Sequence, residues 1–435
     1  MVESVPSGTG AGASAAGARG NIADGAVARR ISPAFVLVYA FAYMGVWLAL
    51  LTPMLVTISL RVREISPTAA DAERSLALVL GVGAIFALIG NPLFGRMSDR
   101  TTSRVGMRRP WLVGGMLCGC AALALIALAP TIPVVLAGWC LAQLAFNAVL
   151  AAIVALLPDQ VPPGQRGTVS GVLGICMSIG QVAGTFLVQA LPPSMPLMFL
   201  VPAIVGMIAV FVLAWILPDR RQRAADLPPA DVLGFLRSFW LSPRRYPDFF
   251  WAWFSRFLLV TGTAFLTTYQ PYYLMNELHY PESEVRGLIF KAMLVQASLI
   301  VIASLVSGRV SDALGRRKIF VTIAAAIYGV GLWTVASADS YANLLFGMVF
   351  TGTGQGVYFA VELALVTQIL PNHRLDAAKD LGMFNIANAL PQAVAPALGP
   401  IILWMSGGDY TWLFIVAGTI ALMAALAILP LKGVK

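Results

Sequence analysis

The sequence predicts an all-α membrane protein with twelve transmembrane helices in two pseudo-symmetric six-helix halves. Three observations carry this. The chain is 59% hydrophobic and only 11% charged, whereas a soluble domain carries about 25% charged residues. Apolar runs of roughly 20 residues, the length that crosses a bilayer as a helix, follow one another along it. A polar motif also occurs twice at one offset. Gly95-Arg-Met-Ser-Asp99-Arg100 is closed by Gly106-Met-Arg108-Arg109, and Gly308-Arg-Val-Ser-Asp312 by Gly315-Arg316-Arg317-Lys318; Asp99 and Asp312 lie 213 positions apart. Leu157-Pro158 and Leu370-Pro371 share that offset. Two landmarks with one spacing mean a duplicated half, the build of secondary transporters with parallel repeats.

Residues 1–31 are mostly Gly, Ala and Ser and predict a disordered cytosolic tail. It lacks the apolar core of a signal peptide, so the first span directs insertion. Spans are expected at 33–58, 75–97, 110–130, 133–157, 168–191 and 196–217, giving an N-terminal half over 32–217. Residues 218–248 form a basic cytosolic linker, in which Val232–Trp240 has the make-up of an amphipathic surface helix. The second half, 249–435, holds spans at 249–275, 288–311, 319–337, 342–369, 381–405 and 411–431. With the amino terminus in the cytosol, 23 of the 29 Lys and Arg fall in cytosolic segments. That asymmetry predicts both termini inside, in the plasma (inner) membrane.

The net charge of +9 is carried by short connectors, which points to membrane lipids and away from nucleic acid. Cys118, Cys120, Cys140 and Cys176 lie in apolar runs. The first two point to opposite sides of a helix, so these are packing residues and no metal is expected. His279 and His373 sit in loops without catalytic company, and no phosphate-binding Gly-x-x-x-x-Gly-Lys-Ser/Thr motif occurs. No cofactor and no enzymatic activity are expected.

The duplicated loop and the twelve spans resemble the major facilitator superfamily over residues 33–431. The longer first copy, Ser98-Asp-Arg-Thr-Thr-Ser-Arg-Val-Gly-Met-Arg-Arg-Pro-Trp111, is similar to the loop of the sucrose-type and glycoside–pentoside–hexuronide carriers. The resemblance implies a major facilitator fold, a cavity lined by spans 1, 4, 7 and 10, sugar or glycoside substrates, and proton or sodium coupling. The sequence departs from both carrier types in placing no Asp or Glu within spans 1–6; span 4 offers Gln143 and Asn147 instead.

Three groups of residues are candidates for function. The first is a cytosolic gate of Gly95, Asp99, Arg100, Arg108, Arg109, Gly308, Asp312, Arg316 and Arg317, with Lys318 beside them. Asp99 and Asp312 are placed to accept backbone N–H groups at the amino ends of spans 11 and 5, where the helix dipole is positive. The plainer reading is a topogenic basic loop. The second is Arg256 with Glu362, the two full charges well inside spans. Such charges are costly and mark a pathway or a pair. Each lies about seven residues, roughly 10 Å, from the same side, so a pair is possible, either coupling a proton or bracing the fold. The third is a set of polar and aromatic stripes: Tyr39, Tyr43 and Trp47 on span 1; Trp139, Gln143 and Asn147 on span 4; Gln270 with Thr263 and Thr267 on span 7; Gln355 and Tyr358 on span 10; Asn385, Asn388 and Gln392 on span 11. Amides and aromatic faces suit sugars or flat drugs, and they equally suit bonds between helices. Pro271 predicts a bend near the outer end of span 7, and Gly352-Thr-Gly354-Gln-Gly356 predicts close helix packing.

The expected function is transport of a small organic solute by alternating access as a monomer, coupled to protons with sodium as the other choice, and with sugars or glycosides preferred. Efflux of drugs or metabolites by proton antiport is the rival within transport. A non-transporting receptor or scaffold on the same fold is the rival outside it.

Overall fold

The structure is a computed structural model that describes residues 31–162, 165–222, 244, 246–314, 316–369 and 386–431. The tail up to residue 30, Val232–Trp240 with most of the linker, Gly315, Pro371, His373 and Asn385 lie outside the described residues.

Among the described residues, twelve helices are long and apolar enough to cross a membrane. The first six are α1 (Pro33–Ile65), α2 (Ala69–Asp99), α3 (Arg109–Ala127), α4 (Ile132–Gln160), α5 (Arg166–Ala190) and α6 (Met195–Ile216). The second six are α7 (Pro247–Glu277), α8 (Glu282–Leu314), α9 (Arg317–Ala336), α10 (Tyr341–Ile369), α11 (Ile386–Met405) and α12 (Tyr410–Ile428). Twelve crossings return the chain to the side on which α1 begins. We call this the terminal side and the other the far side.

Helix starts follow local chemistry. Ser32 Oγ accepts from Phe35 N–H, Thr68 Oγ1 from Asp71 N–H and the Asp409 carboxylate from Thr411 N–H. Proline fills the first turn of α1, α3, α4, α6 and α7, where its missing N–H costs nothing. Two ends reach further than hydropathy indicates. The capped start of α2 at Ala69 puts Asp71 in its first turn and Glu73 just after it, and α4 runs on to Gln160 and contains Asp159. This corrects the expectation that the first six helices hold no Asp or Glu. Polar end turns lower the mean hydropathy of a span, yet they lie where water is near and acidic groups favour a helix N-terminus.

Helix pairing displays the duplication directly. In the first half α1 packs on α5 and α6, α2 on α4, and α3 on α4 and α6. Adding six to each number gives the second half: α7 on α11 and α12, α8 on α10, and α9 on α10 and α12. The halves meet where α2 touches α11 and α5 touches α8, and these two contacts exchange under the same operation.

Close approaches rest on missing side chains. A Cβ on Gly45 of α1 would meet Gly206 Cα of α6 at 2.9 Å. In α10, Gly352 and Gly356 face α8, where a Cβ would meet Gln296 O at 2.7 Å and Ile300 O at 2.5 Å. Gly354 faces Tyr328 N of α9 at 2.6 Å. The expected packing role of that glycine run is what the structure contains.

Helices α1 and α7 each carry a π turn near the far side, Pro53–Thr57 and Tyr273–Glu277. In α7 the turn follows Pro271, which lacks an N–H to continue the ladder, so the expected weak point is a local widening of the helix.

Candidate functional site

On the terminal side, the first signature loop folds around Arg108. Its side chain is 4% exposed and meets three partners: Asp99 at 2.7 Å, Asp159 at 2.9 Å and Ser98 Oγ at 2.8 Å. Asp99 is the outward member of this set, 61% exposed. The backbone N–H groups of Arg108 and Arg109 both donate to Asp219 Oδ2 at 2.8 Å, so Asp219, just beyond α6, caps the start of α3. Arg109 itself donates to Leu217 O at 2.5 Å. Gly106 takes φ +122°, a conformation open to glycine and strained for other residues. Gly95 faces Ala151 of α4, and Arg100 closes the end of α2.

The second loop shares one of these contacts. Lys318 Nζ donates to Leu429 O at 2.6 Å and Leu431 O at 2.8 Å, holding the end of α12 as Arg109 holds the end of α6. Asp312 lies in the last turn of α8, while Arg316 and Arg317 open α9. A Cβ on Gly308, or on Gly171 and Gly174 of α5, would meet nothing within 4 Å.

At depth in the second half, Arg256 of α7 and Glu362 of α10 form an ion pair. Arg256 Nε also donates to Asn388 Oδ1 of α11 at 2.6 Å, and its guanidinium stands 5.2 Å from the centre of the Phe359 ring. The side chains are 15% and 1% exposed. Among the described residues Glu362 Oε1 has no hydrogen-bond partner. One turn away, Tyr358 OH and Ser255 Oγ are 3.1 Å apart, and Ser255 donates to Ala424 O at 2.9 Å. The cluster therefore ties α7, α10, α11 and α12 together around one buried charge pair.

The stripes divide. The α4 stripe is turned toward α2: the Trp139 indole packs on Gly83, and Asn147 Oδ1 accepts from Asn91 Nδ2 at 3.4 Å. Asn147 Nδ2 donates to Gln143 O at 2.8 Å. Tyr39 OH donates to Ile153 O at 2.7 Å, joining α1 to α4. Gln355 Oε1 accepts weakly from Gln296 of α8 at 3.5 Å. Thr263 and Thr267 donate to carbonyls of their own helix. Tyr39, Trp139, Asn147 and Gln355 thus reach a neighbouring helix, whereas the threonines bond within their own. Several stripe residues keep unused polar atoms: Trp139 Nε1, Trp47 Nε1, stacked edge-on with Tyr43, Gln270 Nε2 and Gln392 Oε1 have no partner among the described residues.

On the far side the halves are joined by polar contacts that spacing alone did not reveal. Glu73 of α2 accepts from Asn276 Nδ2 at 3.1 Å and from the Tyr410 hydroxyl. Tyr272 OH donates to Ser59 O at 3.2 Å and Ala72 O at 3.4 Å. Arg286 of α8 donates to Val188 O at 3.2 Å and Leu191 O at 3.0 Å at the end of α5. Gln181 Nε2 meets Met293 Sδ at 2.9 Å, and the rings of Phe186 and Phe290 lie 5.4 Å apart.

The profile of the Major Facilitator Superfamily matches residues 35–301 and 287–434. Among curated relatives, an uncharacterised MFS-type transporter, YfiU of Bacillus subtilis, is 28% identical over 117 residues, 27% of this chain and 22% of that protein. The uncharacterised symporter sll1374 of Synechocystis is 54% identical over 39 residues, 9% of this chain and 7% of that one. Multidrug resistance protein MdtL of Klebsiella pneumoniae is 30% identical over 101 residues, 23% of this chain and 25% of that one. The chain thus spans at most a quarter of these relatives. Two solved structures share the fold nearly end to end. A D-xylose–proton symporter superposes with TM-score 0.69 at 15% identity, covering 92% of this chain and 97% of that one. A point mutant of the nucleoside transporter NupG gives 0.71 at 14%, covering 92% and 99%.

Proposed function

Because the chain belongs to the Major Facilitator Superfamily, we propose that it moves a small organic solute across a membrane by alternating access, coupled to protons. The observation that carries the coupling is the Arg256–Glu362 pair. A carboxylate so deep in a span is tolerable only while its cation is beside it. Rocking that draws α7 and α10 apart leaves Glu362 to take up a proton, and closing them expels it. A solute that competes for Arg256 links binding to that exchange. The polar atoms still free on Trp47, Gln270 and Gln392 suit hydroxyl or amide groups on the solute. Sugars or glycosides are the preferred class.

Residues 32–217 and 249–435 are the two rocking units, with 218–248 as the linker. The terminal side is cytosolic, in keeping with the 23 of 29 basic residues that fall there. The open space beside Gly171, Gly174 and Gly308 and the joined far side fit a cavity opening to the cytosol. The signature loops then act as the cytosolic gate. Arg108 is held within its own half, and exposed Asp99 is left to reach across.

A second reading, efflux of drugs or metabolites by proton antiport, is favoured by the stretch shared with MdtL. The aromatic run on α7, with Phe250 and Phe254 stacked 6.0 Å apart, also suits flat apolar solutes. Proteoliposomes separate these readings. Labelled sugars, glycosides and cationic drugs are offered with and without a proton gradient of either sign. Accumulation with inward protons supports symport, and accumulation with outward protons supports antiport. No solute moved under any gradient would leave a receptor or scaffold.

A further inference from the structure

Glu73 and Arg286 occupy the same position in the repeat. They lie 213 residues apart, the offset of the two signature aspartates, and each stands early in an even-numbered helix, α2 and α8. Both reach into the opposite half. Glu73 accepts from Asn276 at the end of α7 and from the Tyr410 hydroxyl at the start of α12, while Asn276 Nδ2 also lies 3.0 Å from Tyr410 OH. Arg286 donates to the terminal carbonyls of α5. One copy of the repeat thus presents an anion to side-chain donors, and the other presents a cation to the negative end of a helix. Tyr272 and Ser59 are themselves 213 apart and in contact. Equivalent positions of a two-fold repeat touch each other only near its axis, so this contact lies between the two latches. It also stands next to both π turns, the places where α1 and α7 can change direction most easily.

We propose that Glu73 and Arg286 are paired far-side gate residues. Each latches one half to the other across the repeat axis, and both contacts must break before a solute can pass on that side. Neither touches the Arg256–Glu362 pair in the contacts described, so they act as positioning residues that set how often the far side opens. The latch rests on alternating access as proposed above, and on no particular solute or coupling ion.

The test uses the full chain reconstituted in proteoliposomes, with Cys118, Cys120, Cys140 and Cys176 replaced by alanine and a single reporter cysteine at Gln270→Cys, on the last turns of α7 before its π turn. A membrane-impermeant maleimide is added on the far side and the labelling rate is read. Tyr410→Phe removes one hydroxyl and keeps the ring that packs on Tyr273. Arg286→Met removes the cation and keeps the stem. Each is expected to raise the labelling rate about tenfold, equivalent to about 1.4 kcal/mol in the opening equilibrium, and the two together more than either alone. Tyr273→Phe is the control, since its hydroxyl bonds Val335 O and Ala338 O within its own half; its rate should stay at the parent value. A second reporter, Gly171→Cys, watches the terminal side and should label more slowly in the double variant, where the far-side-open form takes its largest share. Rates at Gln270→Cys within twofold of the parent in both variants overturn the latch, as does an equal rise in the control. A rise at Gln270→Cys in the double variant without a fall at Gly171→Cys refutes alternating access, and the latch that rests on it falls with it.

Discussion

Removing either member of the Arg256–Glu362 pair should cost stability, and by unequal amounts. Breaking a buried ion pair at one partner costs about 3–5 kcal/mol, because the other charge is left without compensation. The partners here are not equally dependent on each other. Arg256 without Glu362 keeps Asn388 at 2.6 Å and the face of Phe359 at 5.2 Å, so Glu362→Gln belongs at the low end, about 3 kcal/mol. Glu362 without Arg256 keeps nothing described, since Oε1 has no partner even in the intact pair. Arg256→Met therefore belongs at the high end, about 5 kcal/mol at neutral pH. Replacing both by apolar residues of similar size should recover most of the loss, as for other buried pairs. A free buried carboxylate also relieves its cost by binding a proton. Lowering the pH should accordingly shrink the Arg256→Met deficit and leave the Glu362→Gln deficit unchanged. Thermal unfolding of the detergent-solubilised protein reads this out, at roughly 2–4 °C per kcal/mol for a unit the size of one half. A Glu362→Gln protein less stable than Arg256→Met, or a double variant worse than both singles, would refute the account of which group depends on which.

Three further outcomes follow from the proposed function. Glu362→Gln should lose gradient-driven accumulation in proteoliposomes yet retain solute exchange, which requires no proton release; normal accumulation would reduce Glu362 to a structural partner. Asp99→Asn should slow transport and raise maleimide labelling of the cavity from the terminal side, and unchanged rates for both it and Asp312→Asn would remove the gate role. A reporter active only outside the cytosol should be silent when fused after Lys435, and strong activity in a transport-competent fusion would invert the topology.

Hydropathy and the 213-residue offset were enough to read the twelve helices and their duplication, because both are properties of whole segments. The depth match of Arg256 and Glu362 was legible for a related reason: charges are scarce inside spans, so the two that occur draw attention to each other. The phase of the α4 stripe was not legible. A four-residue period places Trp139, Gln143 and Asn147 on one face, but only the packing of α2 decides that the face meets Gly83 and Asn91. Asp159 and Asp219 were passed over because they meet Arg108 across 51 and 111 residues, and no local spacing encodes such a contact. Glu73 fell just outside the expected span, in a polar turn that hydropathy trims away. A signal for it was nonetheless present: the same offset applied to the helix starts pairs Glu73 with Arg286.

The contacts of the first signature loop have a bearing on how the chain is made. Arg109 is held by Leu217, and the start of α3 by Asp219, residues translated more than a hundred positions later. While the ribosome is still producing α4 and α5, these arginines have no protein partner at the end of α6. When α6 arrives, its terminal carbonyls and Asp219 join the first connector to the last. Lys318 and the end of α12 repeat the step. Each half is in this way sealed by its final helix, so its assembly can finish before the other half has been synthesised.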